Sequence, residues 1–429
     1  MIATLSVIAT AFVLADGART SSSDAALEAA SRHAVLVHAA LPARAAPDSG
    51  PAQDAVAPTP EPHGPAATTA PASHASSLPP SGSASKTQAS SPAPKATPHA
   101  DVAPKPSKVK HVFVIALTAV PSQPAFGATS PAHYLATELK RRGTLLSGFR
   151  PVDGGADLPN YLAMTGGQPP NPDTRRECTT FSDFPSSAAT TSAGVVSGSG
   201  CVYPNTVLSI GDQLTASRHT WRAYGEDLGS GTDGAQSCRH PRPGEADDTL
   251  RGRVGDQYAT RHNPFVYFHS LLDLGDCMAN DVALDQLAGD LRSVSKTPDY
   301  AFIAPNLCDS GTESPCVDGR PGGLATADAF LNEWVPRILA SPAYQRDGLL
   351  IITFPSSTMT ASATGTTTTP PATTDPATGS PAPTGTLLLS RFARAGTTIA
   401  GPYDPYSLLR SVEDLFGLTP LARAKDAAS

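Results

Sequence analysis

KHVFVIALTAVPSQPAFG, residues 110–127, begins with an apolar, β-branched run from His111 to Leu117. Apolarity without alternation suits a strand buried on both faces, as in the middle of a parallel sheet. Such strands deliver functional groups from the loop at their carboxyl end. Here that loop, Thr118-Ala119-Val120-Pro121-Ser122, offers no carboxylate, no imidazole and no amide side chain. A strand aims at a site whose first loop carries nothing suited to bind a metal.

Outward toward the N-terminus the chain changes character. Residues 51–107 hold 13 Pro among Ala, Ser and Thr, and no aromatic occurs between Phe12 and Phe113. Such a segment cannot bury enough apolar area to offset an ordering entropy of roughly 1–2 kcal/mol per residue. Residues 23–108 therefore read as a disordered Pro/Ala/Ser/Thr-rich stalk, suited to hold a domain off a cell wall or membrane surface. Ile2–Ala15 is apolar but shorter than the ~20 residues a bilayer span needs. It fits the h-region of a signal peptide, giving a signal-like segment over residues 1–22, although no Lys or Arg precedes it. A buried helix is the other reading.

Toward the C-terminus the 429-residue chain alternates strands and helices. Helices are expected at 133–142, 207–216, 281–294, 327–339 and 405–416. Strands are expected at 144–149, 221–224, 300–305, 348–354 and 386–389. That alternation predicts an α/β domain over residues 109–424 with a mainly parallel sheet flanked by helices. Residues 357–385 interrupt it with a Thr/Pro/Ala-rich insert whose composition reads as disordered. The net charge of −7 argues against nucleic acid as a partner. The composition identifies no particular partner.

All six cysteines, Cys178, Cys201, Cys238, Cys277, Cys308 and Cys316, lie in the α/β part and none forms a CxxC pair. An even count in an exported chain favours three disulfides over zinc or buried thiols. Fifteen connectivities are open; sequential pairing (178–201, 238–277, 308–316) closes the shortest loops.

Seven ordered stretches carry a resemblance: HVFVIAL, LPNYLAMTGG (158–167), WRAYGED (221–227), RHNPFVYF (261–268), FIAPNLC (302–308), FLNEWVPRILASPAYQRDGLLIITF (330–354) and YSLLRSVEDLFGL (406–418). Together they resemble the bacterial phosphoesterase family of acid phosphatases and phosphatidylcholine-type phospholipases C, within the alkaline-phosphatase-like superfamily. The resemblance implies that fold, divalent metal ions and a Ser or Thr nucleophile before Leu-Pro-Asn. The same alignment implies what has changed. Thr118 and Ala119 stand where members carry Glu and Asn, Asp157 where they carry the nucleophile, and Ser310 and Thr312 within the Asn-Asp-x-His-Asp motif. Pro355 and Ser356 replace Asp-Glu, and Pro405 replaces a His.

Phosphoester hydrolysis on such a scaffold needs an oxygen nucleophile and cations that neutralise the phosphoryl oxygens. No His follows His269, so the C-terminal part supplies no imidazole. Asp at the nucleophile position is conceivable, since aspartyl-phosphates exist, but without metal the charge of Asp157 would repel a phosphate. The expectation is an exported, catalytically inactive binding or surface module with no metal cofactor; the alternative is an active phosphoric-ester hydrolase with relocated ligands. Glu226-Asp227 and Arg261-His262-Asn263 match family positions and could form a site, but read more simply as a solvated turn and a packed loop; Asp309 and Glu313, beside Cys308 and Cys316, could bind calcium weakly.

Overall fold

The computed structural model describes residues 108–118, 125–232, 234–356 and 380–429. The signal-like segment, the stalk up to residue 107, Ala119 and residues 357–379 of the insert lie outside the described residues.

The strands are β1 (His111–Thr118), β2 (Thr144–Leu146), β3 (Trp221–Gly225), β4 (Asp281–Ala283), β5 (Tyr300–Ala304), β6 (Gly348–Ser356), β7 (Thr386–Ser390) and β8 (Thr397–Ile399). They form one sheet in the order β4-β3-β5-β1-β6-β7-β2-β8. Only β7 runs against its neighbours, β6 and β2. The four longest well-formed α-helices are α1 (Leu158–Gly166), α2 (Ile210–Ala216), α3 (Gly323–Ala340) and α4 (Pro405–Phe416).

The all-apolar run of β1 is explained by cover on both faces. Val112, Val114 and Ala116 join one core with Tyr161 and Leu162 of α1 and Leu409 and Val412 of α4. Phe113, Ile115 and Leu117 join the other core, with Leu331, Val335 and Ile338 of α3. Parallel partners β5 and β6 lie on either side of β1, so its carboxyl end opens where the two halves of the sheet meet. In open α/β sheets that crevice is the place for a site.

Two features shape that end. Between Ala116 and Thr118 of β1, β6 advances from Thr353 to Ser356, one residue more. Pro355 falls in this bulge, where its missing N–H costs no ladder bond, and Ser356 comes opposite Thr118. Helix α1 begins after Asp157, whose side chain makes no cap bond. Glu177 takes that role: its two carboxylate oxygens accept the N–H groups of Asp157 and Leu158 at 2.6 and 2.9 Å. The side chain of Asp157 is thereby left for other partners.

The structure corrects several expected elements. Residues 281–294 form the short strand β4, a 3-10 turn at Leu284–Gln286 and one helical turn at Leu287–Asp290. Pairing of Ala223, Tyr224 and Gly225 with Asp281, Val282 and Ala283 and the Cys238 N–H bond to the Asp281 carbonyl override helical spacing there. The strand expected over 144–149 ends at Leu146, and at Gly148 an added Cβ would lie 2.3 Å from the Gly401 carbonyl oxygen. The helix over 133–142 starts as a wider π turn, Tyr134–Leu139. The three disulfides join the sequential pairs, Cys178–Cys201, Cys238–Cys277 and Cys308–Cys316.

Candidate functional site

At the carboxyl ends of β1, β5 and β6 four hydroxyls meet. The Thr118 and Thr312 hydroxyls are hydrogen-bonded at 2.8 Å, and Thr312 and Ser310 at 2.9 Å. The Ser356 hydroxyl lies 3.4 Å from that of Thr118. All four residues are fully buried. The loop after β5 is held to β1 by the Thr118 N–H bond to the Ser310 carbonyl, 2.8 Å. Gly311 makes this approach feasible, since its φ is +90° and an added Cβ would lie 3.1 Å from the Thr118 carbonyl oxygen.

Asp157 closes the group on the α1 side. Its carboxylate is buried (1% exposed) and accepts from the Ser356 hydroxyl. Arg261 Nε approaches Oδ2 at 3.4 Å and His262 Nε2 at 3.1 Å. Burial pushes this carboxyl up, but the His262 hydrogen bond and the neighbouring charge of Arg261 outweigh it and hold it well below the usual carboxylate range. For Glu177, loss of water around the carboxylate and the nearby Asp157 charge act together, raising it to about 8. The His262 ring stacks on Tyr161 with centroids 5.1 Å apart. Its Nδ1 is buried with no partner among the described residues.

Thr118, Asp157, Ser310, Thr312 and Ser356 are thus brought together, and Pro355 lies beside them in the bulge. Pro405 is the first residue of α4, buried where that helix lies against α1. Ala119 lies outside the described residues. The stretch Arg261-His262-Asn263 is a packed loop, as its plainer reading held, yet its Arg261 and His262 side chains turn onto Asp157. Arg261 stood out in the sequence only as part of Arg261-His262-Asn263, with nothing to link it to Asp157, and Glu177 did not stand out. Asp157 is therefore a charge compensated by the Arg261 guanidinium.

The described residues here do not fit a divalent cation. Such ions take anionic oxygens or imidazoles converging on one point. Here the hydroxyls are neutral and bonded to one another, and the single carboxylate is committed to Arg261 and His262. Among the described residues, the three-ligand groupings close enough for a metal are Cys238, Cys277 and Asp281, and Cys308, Cys316 and Asp318. Both use sulfurs already joined in disulfides.

The other acidic spots also find partners, although Glu313 Oε2 is buried without one among the described residues. Asn306 donates to Glu226 through its N–H and to Asp227 through Nδ2. Arg320 pairs with Asp309 at 2.6 Å, and Glu313 accepts the Gly252 N–H.

A family model described as the Phosphoesterase family matches residues 130–419. A phosphate-repressible acid phosphatase of Penicillium chrysogenum is 23% identical over 218 residues, 51% of this chain and 42% of that protein. A "Probable acid phosphatase" of Kluyveromyces lactis is 25% identical over 97 residues, 23% of this chain and 21% of its own length. The chain thus spans less than half the length of these curated relatives. A solved protein of the alkaline phosphatase superfamily from Vibrio parahaemolyticus aligns with a TM-score of 0.39 and 12% identity, covering 75% of this chain and 70% of that one.

Proposed function

The chain belongs to the phosphoesterase family, and we propose that it is an exported member that has given up phosphoester hydrolysis and serves as a binding or surface module. The observation that carries this reading is the buried hydroxyl chain Ser310–Thr312–Thr118–Ser356, set beside an Asp157 locked to Arg261 and His262. Phosphoryl transfer is catalysed mainly by positioning and by positive charge on the phosphoryl oxygens. Here the Arg261 guanidinium is already engaged by Asp157. A carboxylate whose charge is neutralised in this way is a weakened nucleophile.

Export is supported by three disulfides in a chain of only six cysteines, since such bonds persist in oxidising compartments. Among the described residues no helix is long and apolar enough to cross a membrane. We extend the proposal to the organisation read from the sequence: a signal-like segment over 1–22, a stalk over 23–108 and the family domain over 109–424. No metal cofactor is assigned.

The competing reading, a hydrolase with relocated ligands, finds its support in the His262–Asp157 pair and the unpartnered Nδ1 of His262. The two separate in one assay. Purified full-length chain is offered p-nitrophenyl phosphate and bis-p-nitrophenyl phosphate with magnesium, calcium, manganese or zinc. No turnover above a blank is expected. Turnover that follows the chain through repeated purification and disappears on His262→Gln in a folded protein would overturn the proposal.

A further inference from the structure

A second cleft of about 520 Å³ lies apart from the hydroxyl network and shares no residue with it. That volume is within the range of small-molecule sites. Three arginines reach it from distant parts of the chain: Arg150 after β2, Arg175 in the 3-10 turn Thr174–Arg176, and Arg423 in the turn Ala422–Asp426. Two of them are pre-oriented. Arg150 Nη1 donates to the Pro381 carbonyl at 2.8 Å, and Arg175 Nε to Asp153 at 2.7 Å. The guanidinium of Arg423 has no partner among the described residues. In a chain of net charge −7, such a convergence does not follow from composition.

Two tyrosines complete the cleft. Tyr406 is held by its hydroxyl, which donates to the Gln168 carbonyl at 3.4 Å. Tyr403 sits against Gly401, where an added Cβ would lie 2.5 Å from the ring. The Tyr406 ring is therefore fixed before any ligand arrives, and the Tyr403 ring packs closely on the Gly401 backbone. Asp404 is the single carboxylate in the lining; its Oδ1 caps α4 by accepting the Ser407 N–H at 2.8 Å.

We propose that this cleft binds a sugar ring carrying an anionic group. The arginine forks take the anion, for which their planar donors are suited. Tyrosine offers a rigid apolar face with a polar tip, on which a saturated ring can lie. Asp404 separates this ligand from a bare anion: it repels inorganic phosphate but accepts hydrogen bonds from ring hydroxyls. Phosphate and carboxylate share the anionic chemistry, so a hexose phosphate and a hexuronate are the two sources to compare. The inference stands whether or not the chain hydrolyses a phosphoester.

The test is calorimetric titration of the full chain with glucose 6-phosphate, glucuronate, glucose and inorganic phosphate. At least one anionic sugar should bind more tightly than both glucose and inorganic phosphate. Arg423→Gln should weaken it about 10-fold, the equivalent of one charge-assisted hydrogen bond. Tyr403→Ala should erase the preference over inorganic phosphate. Arg423 is exposed and Tyr403 is half-buried, and unchanged melting temperatures would show that both variants are folded. Thr118→Val should leave the affinity unchanged. No binding of either anionic sugar would overturn the proposal, as would inorganic phosphate binding equally well. Binding lost in Thr118→Val but kept in Arg423→Gln would move the ligand to the hydroxyl network and overturn it too.

Discussion

Replacing Asp157 by Ala removes a carboxylate from Arg261 Nε at 3.4 Å and His262 Nε2 at 3.1 Å, leaving Glu177 and Asp247 as the acidic neighbours of Arg261. Both partners are almost wholly buried, with side chains 3% and 2% exposed, so water cannot take over the role of the carboxylate. Breaking a buried ion pair by deleting one partner costs ~3–5 kcal/mol, mostly the penalty of the stranded charge. Loss of the bond from Ser356 adds to this. In a domain of this size each kcal/mol lowers the melting temperature by roughly 2 °C, so the variant should melt ~6–10 °C below the parent. Scanning calorimetry at neutral pH reads this directly. A paired replacement, Asp157→Leu with Arg261→Met, should recover much of the loss, since apolar side chains of similar volume often substitute for a buried pair without penalty. An Asp157→Ala protein melting within about 1 °C of the parent would refute the reasoning. It would mean that the carboxylate is held at a stability cost, as nucleophiles are, and not as a structural anchor.

Stability should also fall as pH rises from about 4.5 to 8. Burial pushes Asp281 up to about 7 and Glu413 up to about 8. For both acids the folded state therefore keeps a proton that the unfolded chain releases. The stability this provides is fully present below the unfolded pKa and is lost as pH climbs through the folded one. For Asp281 the loss is ~4 kcal/mol, and Asp281→Asn should flatten that part of a urea-midpoint profile; an unchanged slope would contradict it. Thr118→Glu with Ser356→Glu places two carboxylates where two hydroxyls now lie 3.4 Å apart. The variant should melt lower without metal and recover with manganese, and a folded variant indifferent to metal would refute the mapping. Removing Cys178–Cys201 by double Ser substitution should cost ~2–4 kcal/mol by freeing the unfolded chain. It should also loosen the neighbouring Glu177, seen as faster amide exchange at Asp157 and Leu158; unchanged exchange would remove Glu177 as the cap.

Much of the frame was legible because it rests on local chemistry. The unbroken apolar runs of β1 and β6 could be satisfied only with both faces covered, and they are parallel neighbours. The sequential disulfides followed from loop length. The positions Thr118, Asp157, Ser310, Thr312 and Ser356 could be named from the family motifs, but not the bonding that joins the four hydroxyls. What compensates Asp157 was not accessible. Arg261 lies 104 residues away, and no local pattern says which carboxylate a distant guanidinium will meet. The same holds for Glu177, whose capping of α1 depends on a left-handed backbone at φ +58° beside a disulfide. Strand β4 was read as helix because its pairing with β3 and its bond to Cys238 outweigh local spacing. Strand β8 is three half-exposed residues on the sheet edge, too short to leave a pattern.

The most direct test of the central claim, that this family member holds no catalytic metal site, is calorimetric titration of the full-length, disulfide-intact chain with manganese and with zinc, starting from chelator-treated protein. The account predicts only heats of dilution, because Thr118, Thr312, Ser310 and Ser356 satisfy one another and Asp157 is already paired. Stoichiometric uptake that is lost in a folded Thr118→Val, Ser356→Ala variant would contradict it.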